Sequence, residues 1–183
     1  MSQPQKKAID YLQASEVIFD NDEINASVKR LAAEISADMS EDFPLCITLL
    51  RGALIFAGQL LPHLHFPLTL DTMDVGRYGD HTYGSKVTIR SPPITAVNGR
   101  HILLIDDILD VGITLEAVRE WFLAQGALSV KIVVLTDKDN GLSKPLRADF
   151  VGLIVPNRFV FGYGMDIQGY WRNLPAIYAL KGD

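Results

Sequence analysis

Residues 103–115, LLIDDILDVGITL, constrain this chain more than any other stretch. An apolar run of strand length ends in two adjacent carboxylates, Asp106 and Asp107. A third, Asp110, follows, and Val111-Gly112-Ile113-Thr114 opens a helical pattern. The same grammar recurs along the chain. Residues 45–50 (introduced by Pro44), 66–75, 101–105, 129–136 and 149–155 read as strands, and 53–61 and 114–125 as helices, the second ended by Gly126. Residues 22–39 place Ile24, Val28, Leu31, Ile35 and Met39 at helical spacing, with Asp22 as the cap. Strands alternating with helices predict an α/β fold, a mainly parallel twisted sheet flanked by helices. Residues 76–86, GRYGDHTYGSK, are polar with three glycines and no apolar stripe, the mark of a mobile functional loop. The last thirty residues, dense in aromatics and glycines, suit an irregular flap.

Composition removes several function classes. A length of 183 residues predicts one domain, 1–183, and 48% hydrophobic with 21% charged residues excludes a disordered chain. Seventeen basic against 22 acidic residues give a net charge of −5, which disfavours bulk nucleic-acid binding. The single cysteine, Cys46, permits neither an internal disulfide nor a cysteine zinc cluster. The first fifteen residues lack the apolar core of a signal peptide, and residues 45–61 are too short and too interrupted to span a bilayer. The expectation is a soluble, cytoplasmic protein with no membrane and no nucleic-acid partner.

The chemistry is implied by the carboxylate segment. In open α/β sheets ligands bind at the carboxyl ends of strands, and a turn entering a helix N-terminus offers backbone N–H groups and partial positive charge to a phosphate. Carboxylates beside that cradle would repel phosphate unless they serve a sugar hydroxyl, a metal ion or proton transfer. The combination points to a ribose phosphate with a divalent cation. The plainer reading makes Asp110 an N-cap and leaves Asp106 and Asp107 as solvated strand-end residues. The aspartate-rich motif of polyprenyl synthases lies on helices, whereas this one follows a β run, and no Walker-type phosphate loop occurs.

The thirteen residues resemble the phosphoribosyl-diphosphate-binding segment of the type I phosphoribosyltransferases, and the remaining motifs are similar to the hypoxanthine-guanine branch of that family. Leu50-Arg51-Gly52 resembles the pyrophosphate loop, residues 76–85 lie where the catalytic flexible loop should be, and Lys138 matches the base-reading lysine. Residues 155–166, VPNRFVFGYGMD, match the purine-stacking segment, followed by YWRNL at 170–174. The likeness runs from about residue 18 to 180 in five motifs of matching order and spacing.

That resemblance implies a type I phosphoribosyltransferase fold with a small hood built from both termini, its base-binding segment at about 155–180. It implies a magnesium-dependent transfer of phosphoribose to a 6-oxopurine, making IMP or GMP, in a homodimer or homotetramer. Asp110 would be the base at N7, and Tyr78 would close the loop over the diphosphate. Asp106 and Asp107 would hold the ribose hydroxyls and, with Asp166, the magnesium. Asp110, Val111, Gly112, Ile113 and Thr114 would wrap the 5′-phosphate, while Arg51, Gly52 and Arg172 would contact pyrophosphate. Lys138 would read the purine O6, Phe159 would stack on the ring, Val160 would meet its edge through the backbone, and Asp166 would lie beside the base. The family often has a cis peptide at the position of Leu50–Arg51. This chain departs from its best-known members at Asp106, where they carry Glu, at Val111, where they carry Thr or Ser, and at Arg77, where they carry Ser. The alternative is a regulator that keeps the fold to bind RNA or nucleotides; the acidic charge, Asp110 and Lys138 oppose it.

Overall fold

The computed structural model describes residues 2–78 and 86–182. Along the chain run α1 (Gln3–Gln13), β1 (Ser15–Phe19), α2 (Asn21–Met39), β2 (Leu45–Leu50) and α3 (Leu54–Leu60). Then come β3 (Thr69–Tyr78), β4 (Lys86–Ser91), β5 (His101–Leu109), α4 (Ile113–Ala124), β6 (Ser129–Asp139), β7 (Phe150–Pro156), β8 (Val160–Phe161) and β9 (Ile177–Leu180). Among the described residues one sheet has the order β4-β3-β2-β5-β6-β7, parallel except for the β3–β4 pair. From β2 the chain winds outward through α3 to β3, then returns to β5 and winds the other way. The two directions part between β2 and β5, which is where such sheets bind ligands.

Period-two alternation explains why the strands read as unbroken apolar runs. Cys46, Leu103, Ile105, Val133 and Leu135 face α2 and α3, and Ile47, Leu104, Ile132 and Val134 face α4. With both faces covered, neither set can be polar. Helix α2 starts one residue before the expected position, and its cap is Asp20, not Asp22. Asp20 accepts from the N–H groups of Asp22 and Glu23 at 2.9 Å, and Glu23 reaches back to the Asp20 N–H, completing a capping box.

Other boundaries also differ from expectation. β5 continues through Asp106–Leu109 because β6 runs on beside it, with Asp106 opposite Val134 and Leu109 opposite Asp137. The carboxylates therefore stand on a strand end, and Lys138 lies within β6, not after it. The strand expected at 66–75 occupies Thr69–Tyr78, which puts Gly76, Arg77 and Tyr78 in β3 and Lys86 in β4. The expected loop of 76–86 thus overlaps both strands; residues 79–85, and the side chains of Arg77, Tyr78 and Lys86, lie outside the described set. The C-terminal flap contains regular structure too: β9 pairs antiparallel with β1 and with β8, a second sheet in the order β1-β9-β8. Its signal was short, but Ile177 and Ala179 alternate into the core. No helix among the described residues is long and apolar enough to cross a membrane.

Candidate active site

Arg51 and Gly52, Asp106 to Asp110, and Lys138 lie at the carboxyl ends of β2, β5 and β6. Helix α4 begins at Gly112, in the left-handed region at φ +85°, with no side-chain cap. A Cβ there would also lie a tight 3.2 Å from Pro145, so glycine suits the turn first and the fit second. The N-cap reading of Asp110 is overturned: Gly112 is the N-cap, and no side chain makes a capping bond there. A cleft of about 260 Å³ is lined by Asp106, Asp107, Asp110, Gly112 and Thr114 among others. Val111 is half-buried and belongs to neither hydrophobic core.

Asp110 is held from β6. The Lys138 ammonium lies 3.2 Å from its Oδ2; the lysine side chain is 13% exposed and the aspartate side chain 45%. A lysine buried to that degree at a strand end is not a solvated surface group. Asn140 donates to the Asp110 carbonyl at 3.1 Å and to its Oδ1 at 3.4 Å. Lys144 donates to the carbonyls of Leu109 at 2.9 Å and Lys138 at 2.7 Å, and pairs with Asp137. Thr136 donates its hydroxyl to the Asp107 carbonyl at 3.0 Å. Asn140, Lys144 and Thr136 were missed in the sequence. Asn140-Gly141 reads as an ordinary turn, and a lysine in a polar loop carries no signal of its own.

On the other flank, Gly52 at the end of β2 lies against Asp107. A Cβ on residue 52 would fall 1.8 Å from Asp107 Oδ2, so any larger residue would displace the carboxylate from this position. The peptide Leu50–Arg51 is cis and Arg51 is exposed. Arg172 donates to the Gly164 carbonyl at 2.6 Å and pairs with Asp166, whose Oδ2 also accepts from Gly169 N–H at 2.6 Å. Asp107 accepts no compensation sufficient for its burial, which pushes its carboxyl above the ordinary value; hydrogen bonding with Asp106 and the Arg172 charge pull the other way. The folded protein thus binds that proton more tightly than the unfolded chain, and stability falls as pH climbs from the ordinary carboxylate value to the raised one. Asp107→Asn removes the buried charge while keeping the shape. Its thermal midpoint is expected to rise by about 2–4 °C at neutral pH, the shift for about 1 kcal/mol in a domain of this size, and the acid-to-neutral slope to flatten. Melts of both proteins across that range check it; a lower midpoint in the variant contradicts burial as the dominant influence.

Val160 belongs to the second sheet, and Phe159 immediately precedes its strand β8. Phe159 is 45% exposed, so it is not a core residue, whereas the Val160 side chain is buried. The segment is held from both termini: Leu180 N–H donates to the Phe159 carbonyl at 3.1 Å, and Arg158 bonds Glu16 of β1 at 2.7 Å and the Leu180 carbonyl. An aromatic ring is thereby presented to solvent on a fixed backbone.

Residues 15–168 match the phosphoribosyl transferase domain family. The chain belongs to that family. It is 45% identical over 166 residues to the hypoxanthine-guanine phosphoribosyltransferase of Bacillus subtilis, covering 90% of this chain and 92% of that protein. The enzyme of the same name from Streptococcus pneumoniae is 36% identical over the same shares. A crystal structure of a hypoxanthine phosphoribosyltransferase from Staphylococcus aureus superposes with a TM-score of 0.86 at 32% identity, covering 91% of each chain.

Proposed function

We propose that this chain is a purine-salvage transferase that converts hypoxanthine or guanine and phosphoribosyl diphosphate to IMP or GMP and pyrophosphate. The observation that carries the reading is the pairing of Asp110 with Lys138 beside the uncapped N-terminus of α4. An acceptor and a donor at adjacent strand ends suit the two edges of one 6-oxopurine, and the helix N-terminus suits the phosphate of the attached ribose. The names of the relatives above support the same substrates. No observation favours the regulatory alternative.

In the reaction N9 of the base attacks C1′, and the bond from C1′ to the diphosphate oxygen breaks with its electron pair leaving on pyrophosphate. The N7 proton passes to Asp110. Lys138, which only donates, pairs with O6 and opposes the amino group of adenine. Phe159 stacks on the ring, and the Val160 main chain meets its edge. Backbone N–H groups of residues 110–114 and the Thr114 hydroxyl wrap the 5′-phosphate, while Asp106 and Asp107 hold the ribose hydroxyls. Arg51, Gly52 and Arg172 take the pyrophosphate, and Tyr78 keeps water from the oxocarbenium-like centre.

Magnesium fits the donors: Asp106, Asp107 and Asp166 are all oxygen ligands, and they do not form a three-carboxylate cage among the described residues. Magnesium commonly takes one or two carboxylates plus substrate oxygens. When bound it neutralises diphosphate charge. The whole of 1–183 serves as one catalytic domain, with a base-binding hood at about 155–180. The cytoplasm, and a homodimer or homotetramer, complete the proposal. An assay of pyrophosphate release with hypoxanthine, guanine, xanthine, adenine and orotate tests it. Release with the first two and none with adenine or orotate is expected; activity confined to the last two rejects the reading.

Val111 offers a finer test of the phosphate cradle. Val111→Thr keeps the β-branched shape and adds a hydroxyl where a charge-assisted hydrogen bond contributes about 1.5–3 kcal/mol in favourable geometry. GMP is expected to bind up to about tenfold more tightly, read by calorimetric titration. Equal or weaker binding means that the cradle has no gap at this residue.

A further inference from the structure

Asn140 follows the last residue of β6 and begins the loop toward β7. Its Nδ2 donates to the Asp110 carbonyl at 3.1 Å and to Asp110 Oδ1 at 3.4 Å, and its own Oδ1 accepts from the Leu142 N–H at 3.1 Å. This arrangement fixes the amide's orientation, since the reverse would aim an oxygen at two acceptors and an NH₂ at a donor. Lys138 meets the other carboxylate oxygen, Oδ2, at 3.2 Å. Each oxygen of Asp110 therefore has its own donor, and both donors come from the end of β6. Lys144 ties the same loop back to the Leu109 and Lys138 carbonyls, so Asn140 hangs on a braced backbone.

The two donors have different fates once a base arrives. Lys138 is needed at O6 and gives up Oδ2. Asn140 is neutral, anchored through Leu142, and bonded to the Asp110 main chain as well as its carboxylate, so it stays. We propose that Asn140 is the positioning residue that holds Oδ1 of Asp110 while Oδ2 is turned to the N7 proton. The terminal torsion of an aspartate is broad, and a carboxylate held at neither oxygen spends most of its time misaligned. Loss of the hold should reduce the rate of proton transfer and leave ground-state binding almost intact. The inference rests on Asp110 being the base.

The test is a double-mutant cycle with hypoxanthine and phosphoribosyl diphosphate as substrates. Asn140→Ala is expected to lower kcat about five- to tenfold, within the range for one weak hydrogen bond. Both KM values and the calorimetric Kd for GMP should stay within about twofold. In the Asp110→Asn background the same change should alter kcat by less than about twofold, because the group it positions has gone. A multiplicative loss in the double variant, or a fall in GMP affinity that matches the fall in kcat, marks Asn140 as a general structural residue and overturns the proposal. So does an unchanged kcat in Asn140→Ala alongside a slow Asp110→Asn. If Asp110→Asn itself turns over at the parental rate, the base assignment fails and takes this inference with it.

Discussion

Asp110→Asn is expected to turn over roughly 10²-fold or more slowly than the parent protein, the scale for losing a positioned general base. The variant keeps the size of the side chain and one of its two acceptor oxygens but cannot accept the N7 proton as N9 attacks. Stability should change little, because Asp110 caps no helix, is 45% exposed, and meets Lys138 in an arrangement an amide oxygen can still accept from. Affinity for GMP should fall by less than about threefold, since the 5′-phosphate is held chiefly by backbone N–H groups that the substitution leaves alone. Steady-state turnover and titration with GMP separate the two effects. Near-normal turnover would assign proton removal elsewhere; a collapse of GMP binding would make Asp110 a binding residue.

The aspartates, the glycine and the helix beyond them were legible in sequence because each is a local signal: apolar period, carboxylates, turn residue, apolar period. What the local pattern could not carry was which atoms meet. Nothing in residues 50–52 alone says that Gly52 must be glycine because Asp107 lies where its Cβ would be; that contact exists only once β2 and β5 are neighbours. The plain readings divided in the same way. Asp110 as an N-cap was a fair local inference and failed because Gly112 takes the cap position at positive φ. Asp22 as the cap of α2 failed by two residues because Asp20 carries the reciprocal Glu23. A local pattern locates a helix start better than its capping residue.

The second sheet was missed for a different reason. β8 has two residues and β9 four, too few for alternation to stand out, and their partner β1 lies at the other end of the chain. Arg158 shows how that distance is bridged: one side chain joins Glu16 near the start to Leu180 near the finish and fixes the backbone next to Phe159. The family resemblance singles out Phe159, but its exposure needs this background, since a lone phenylalanine in sequence is ordinarily core.

Lys138→Ala separates base recognition from everything else the lysine does. Its side chain is 13% exposed and 3.2 Å from Asp110, so its removal takes away both a donor for O6 and the cation that pairs with Asp110 before the purine binds. The second loss falls on every purine alike; the first falls only on those with an acceptor at position 6. The 6-oxopurines should therefore lose about 1.5–3 kcal/mol of transition-state binding, which is about 10- to 150-fold in kcat/KM, while adenine, released from an opposing ammonium, loses less. The readout is the guanine-to-adenine ratio of kcat/KM, because any uniform damage to Asp110 cancels in it. Lys138→Met, which keeps the apolar stem and loses the charge, should shift the ratio in the same direction and controls for packing. A ratio unchanged in both variants would mean that the lysine steadies Asp110 but does not read O6, and that selectivity resides in the backbone edge at Val160.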